Sequence, residues 1–131
     1  MEILLDRDPE YMCFASDVES YKRTVFVKNE KELDTELFSY LPHVKALQMS
    51  VWLIVIQRKS QTIVYGYFID GQFLRRLEHS DEESIVKLEN SDRIFCKLYL
   101  SDYHQPDEPK AISYMNLLER VKYYSKHLYS F

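Results

Sequence analysis

The sequence predicts an α+β fold in one domain spanning residues 1–131. It is an antiparallel sheet of about five strands, with one helix ahead of a central three-strand meander and a long C-terminal helix packed on the sheet. Three observations predict it. Between Ser50 and Leu77 two apolar runs flank "RKSQ", and Asp70-Gly71 divides the second run from "QFLRRL". Asp-Gly supplies the positive backbone angles of a tight hairpin, so this stretch reads as a meander. In "NEKELDTELFSYL", Glu32 stands at the third helical position after Asn29, and Leu33, Leu37, Phe38 and Leu41 recur at helical spacing. The same spacing joins Ile112, Met115, Leu118, Val121, Tyr124 or Ser125, and Leu128 near the C-terminus.

In chain order, "MEILLD" is a short apolar run suited to an edge strand, and "PEYMCFASDVESY" is ambiguous between strand and short helix. "RTVFVKN" is β-branched and aromatic and reads as a strand ending at Asn29, the N-cap of a helix from about Glu30 to Leu41. Pro42 is expected to end or kink that helix, because proline lacks the N–H and disfavours helical geometry in the residue before it. After the meander, "SDEE" has the form of a capping box from Ser80 to Glu83, predicting a short helix through Leu88. "NSD" is a turn, and "RIFCKLYL" alternates as a strand with Ile94, Cys96 and Leu98 on one face. Pro109 suits the first turn of the C-terminal helix, with Asp107 and Glu108 favoured by its dipole. No repeat or low-complexity tract suggests a second domain.

Composition narrows the function. Eleven Tyr and seven Phe beside two Gly and four Pro argue against disorder, and not all of those hydroxyls find buried partners, so some rings belong on the surface. A net charge of −4 repels a polyphosphate and disfavours nucleic acid. Cys13 and Cys96 read as isolated reduced thiols, which implies a reducing, cytoplasmic setting. Charged residues follow the N-terminal apolar run too soon for a signal peptide, and "VWLIVI" falls far short of the roughly 20 residues that cross a bilayer. No membrane role is expected.

Chemistry-bearing motifs are weak. "YHQPDEP", residues 103–109, gathers an imidazole, a phenol and two carboxylates, but the carboxylates are accounted for as a helix start. Asp102, Tyr103 and His104 are the residues to test if the protein is an enzyme. No spacing among His43, His79, His104 and His127 matches a metal framework, so neither a metal nor a cofactor is expected. A metal-dependent nuclease would need an acid two positions before Lys97, where Phe95 stands. Cys96, on the apolar face of its strand, reads as an inert thiol. Tyr65, Gly66 and Tyr67 imitate part of the aromatic platform of RNA-recognition domains, but Ile63 and Val64 occupy the expected basic-glycine positions.

"RVKYYSKHLYSF" interleaves basic and aromatic residues, and after the core takes its stripe Tyr123, His127, Tyr129 and Phe131 remain as an aromatic surface. The leading expectation is therefore a non-enzymatic protein-binding module acting by occlusion: an immunity protein, a macromolecular inhibitor or a client chaperone. A basic toxin or nuclease suits the acidic charge as partner. The alternatives are a small-molecule sensor or enzyme with a pocket between the sheet and the C-terminal helix, and an RNA-binding module. A homodimer would also cover surplus aromatics.

Overall fold

The computed structural model describes residues 1–8, 21–42, 50–69, 72–74, 87–101, 108–113 and 115–127. These form six strands and three helices: β1 (Glu2–Arg7), β2 (Arg23–Phe26), α1 (Glu30–Tyr40), β3 (Ser50–Arg58), β4 (Gln61–Ile69), β5 (Gln72–Leu74), β6 (Arg93–Leu100), α2 (Lys110–Ser113) and α3 (Leu117–Lys126). The strands make one sheet in the order β2-β1-β6-β3-β4-β5, curled into a half-barrel. The α+β class holds, with one correction to the sheet.

Its six strands among the described residues are close to the five expected, but it is mixed, because β1 runs parallel to β6 with Leu4 opposite Arg93 and Arg7 opposite Cys96. β1 is consequently an interior strand instead of an edge. Local pattern cannot reveal this pairing, since it joins residues some ninety positions apart; the turn before β6 secures it. Glu2 N–H donates to Asn90 Oδ1 at 2.8 Å and Ser91 N–H to the Glu2 carbonyl at 2.8 Å. Ser91 holds φ 70°, a left-handed conformation uncommon outside glycine.

The predicted meander is present as β3-β4-β5, with Ile69 paired to Gln72; the turn residues Asp70 and Gly71 lie outside the described residues. β3 explains the unbroken run "VWLIVI", because this central strand is buried on both faces. On one face Trp52, Ile54 and Ile56 join Ile94, Cys96 and Leu98 of β6 and Leu33, Leu37 and Tyr40 of α1. On the other, Val51, Leu53 and Val55 join Tyr99 and the α3 residues Leu117 and Val121.

α1 starts as expected: Asn29 Oδ1 accepts from Glu32 N–H at 3.0 Å, while Glu32 Oε2 accepts from Lys28 N–H at 2.7 Å. It stops at Leu41, extended ahead of Pro42. The "SDEE" motif lies outside the described residues, and residues 87–89 are not helical, so a helix does not run through Leu88. The C-terminal helix is also not continuous. Asn116 accepts from Glu119 N–H at 2.9 Å and donates to Glu119 Oε1 at 3.0 Å, capping a new helix. "NLLE" was the signal for this restart. Its effect is to turn Leu117, Arg120 and Val121 toward the sheet, while Met115 and Leu118 are only half-buried.

Candidate functional site

The end of β6 and the start of α3 bring an unexpected polar cluster together beneath the sheet. Glu108, which the sequence assigns to a helix dipole, instead turns inward. Its Oε1 accepts from Arg120 Nε at 3.2 Å and from the Tyr124 hydroxyl at 3.1 Å. Arg120 Nη1 donates to the Leu100 carbonyl at 3.1 Å, so the guanidinium ties α3 to the end of β6. The Tyr124 ring stacks on Tyr99 with centroids 5.1 Å apart. Burial raises the Tyr124 hydroxyl to about 12, the Glu108 hydrogen bond adding to the shift. Tyr99 rises too, chiefly through burial.

Asp8, just past the end of β1, lies within electrostatic reach of Tyr99. Its Oδ2 accepts from Leu98 N–H at 2.9 Å, extending the parallel ladder by a side chain. Burial raises its carboxyl, and this outweighs the Leu98 hydrogen bond and the nearby Lys97 charge that favour ionisation. The sequence concealed these residues. Arg120 sits in a charged run that reads as solvated, and Tyr99 faces away from the stripe of Ile94, Cys96 and Leu98.

Outward from this cluster the aromatic chain continues. Tyr123 packs edge-on against Tyr124, and His127 stacks on Tyr123 at 4.2 Å between centroids. His127 Nδ1 lies 2.8 Å from the Tyr123 carbonyl; a carbonyl only accepts, so Nδ1 carries the proton. Tyr123 and His127 are thus brought together, both half-buried. Tyr129 and Phe131 lie outside the described residues, as do Asp102, Tyr103, His104, His43, His79 and Cys13.

Tyr65 and Tyr67 do not share a face. The β3-β4 register shifts between Ile54 and Val55, so Ile54 faces Gly66 while Val55 faces Val64. This bulge at Tyr65 sends Tyr65 to the α1 side, where its hydroxyl donates to Asp34. Tyr67 goes to the α3 side, donating to Ser125 Oγ at 2.8 Å. Both rings are buried and cannot form one base-stacking platform. Gly66 marks the bulge and a close approach as well: a Cβ there would lie 2.7 Å from the Phe73 ring.

Cys96 is fully buried, and burial pushes its thiol up, out of the range of a nucleophile. Among the described residues no group of three His, Cys, Asp or Glu side chains is placed to hold a metal ion. No described helix is long and apolar enough to cross a membrane. Comparison with protein-family models, curated proteins and solved structures finds no match for the chain.

Proposed function

We propose that this protein is a non-enzymatic protein-binding module that acts by occlusion, as an immunity protein, a macromolecular inhibitor or a client chaperone does. The observation that carries the reading is the stacked pair Tyr123 and His127, held half-exposed at the end of α3. Rings already fixed in place lose little freedom on docking, and aromatic anchors dominate many protein interfaces. The residues proposed to bind the partner also include Tyr129 and Phe131. The net charge of −4 favours encounter with a basic partner, such as a toxin or nuclease, in the cytoplasm. A partner captured with the full chain should bind Tyr123→Ala or His127→Ala at least tenfold more weakly. Unchanged affinity in both variants removes this surface from the account.

One observation favours a second reading, a small-molecule sensor or enzyme. Asp8 has a raised carboxyl within electrostatic reach of Tyr99, whose ring stacks on Tyr124 beside Glu108. Asp102, Tyr103 and His104 belong to that reading. His104→Ala and Asp8→Asn would abolish proton-transfer chemistry, yet leave partner affinity intact in a pure interface protein.

A further inference from the structure

Among the described residues β2 is an edge strand, and its pairing fixes which backbone groups face outward. Val27 N–H donates to the Met1 carbonyl and the Met1 amino group donates to the Val27 carbonyl, making Met1-Val27 a mutually bonded pair. Alternation makes Ile3-Val25 and Leu5-Arg23 the next bonded pairs and leaves Glu2-Phe26 and Leu4-Thr24 as the non-bonded ones. The N–H and C=O groups of Thr24 and Phe26 therefore point away from the sheet. Among the described residues no strand takes them up.

Several side chains of this edge are exposed, and the charged ones along β2 itself are basic, while the exposed Glu2 of β1 lies opposite Phe26. Phe26 is 76% exposed, the most of any large apolar residue described. Lys22, Arg23, Thr24 and Lys28 are exposed as well. Lys22, Arg23 and Lys28 make 22–28 a basic segment without an acid, in a chain whose net charge is −4. A short edge strand flanked by charged side chains, lysine above all, ordinarily deters pairing with like strands. A second copy in the register that sets Thr24 against Phe26 would oppose Lys22 to Lys28 at both ends, and like charges directly opposite are unfavourable.

We propose that the outer edge of β2 receives an extended acidic segment of a partner protein as a further strand, bonded through Thr24 and Phe26. The backbone supplies the pairing, Phe26 an apolar contact, and the flanking basic residues the preference for carboxylates. This surface lies on a different element from Tyr123 and His127, and neither depends on the other.

The test uses the full chain with a labelled nine-residue peptide alternating glutamate and valine, its lysine-valine counterpart, and a single-stranded oligonucleotide. The glutamate peptide should bind and slow hydrogen exchange at the Thr24 and Phe26 amides at least tenfold. Thr24→Pro, which removes an outward donor where an edge tolerates proline, should weaken binding at least tenfold with the melting temperature retained. Lys28→Glu, on an exposed side chain, should weaken it severalfold and guards against a folding defect in the proline variant. Equal binding of the lysine peptide, protection by the oligonucleotide alone, or no protection at Thr24 and Phe26 would overturn the proposal. So would a dimer of the chain that Thr24→Pro dissociates, which assigns the edge to a second copy.

Discussion

The guanidinium of Arg120 meets the carboxylate of Glu108 at 3.2 Å where each side chain is only 2% exposed. Burying two ions costs several kcal/mol in desolvation, which their attraction repays only with good geometry and further hydrogen bonds. Here Tyr124 and the Leu100 carbonyl supply such bonds. Glu108→Leu or Arg120→Met alone should cost about 3–5 kcal/mol, by leaving the other ion buried. The double variant Glu108→Leu/Arg120→Met should recover much of that loss. Denaturant unfolding of all three variants checks it, and strictly additive losses would show that the two residues are not coupled.

Two carboxylates should shape the acid stability in opposite senses. Burial pushes Asp92 up, but the hydrogen bonds from Arg58 and the Glu89 N–H, with the Arg58 charge, outweigh it and hold the carboxyl low. Its stabilising contribution is present above the ordinary value of 3.8 and disappears as pH falls through the lowered folded value. Asp8 is raised from 3.8, so between that value and its folded one the native state binds more protons. Stability then falls as pH rises through this window, and acidification relieves the penalty. Asp8→Asn should flatten the upper limb of stability against pH, and Asp92→Asn the lower limb. Melting temperatures from pH 7 downward distinguish them.

Gly66→Ala should destabilise by about 2 kcal/mol. The added methyl group meets Phe73 Cζ at 2.7 Å and the Leu74 carbonyl at 2.9 Å, and the second of these is backbone. Gly66→Ala/Phe73→Leu should recover only part of the loss, because it relieves the ring contact alone. Full recovery would show that the Leu74 carbonyl moves aside.

Asn116→Ala should cost about 1 kcal/mol by removing the N-cap of α3. Because α3 carries Tyr123 and His127, the same substitution should weaken partner binding. Amide exchange at the start of α3 reports the first effect, and a binding titration the second.

Elements governed by local chemistry were legible in the sequence. Asn29 and Glu32 announced α1, Pro42 its end, and alternation in "RIFCKLYL" both β6 and its buried face. What depended on distant partners was not. Nothing near Leu4 or Leu5 specifies a parallel neighbour at Arg93 and Ile94, and a period-two pattern does not foresee a bulge that parts Tyr65 from Tyr67. Asn116 and Glu119 did signal a helix start, but the apolar spacing across them favoured one continuous helix. The sequence grouped Tyr123 and His127 as residues left over after the core takes its stripe, and their four-residue spacing on α3 is what lets the two rings stack. Their attachment to a buried acid-arginine pair was not legible, because charged residues read as solvated until a partner is seen.

The most direct measurement is native mass spectrometry of the full chain captured gently from its own cells, beside a Tyr123→Ala/His127→Ala variant. The binding-module account predicts a stoichiometric protein partner on the parent chain, lost or sharply reduced on the variant. A chain that carries a metal or small molecule and no protein partner would contradict the account and direct attention to Asp8 and the 102–107 segment.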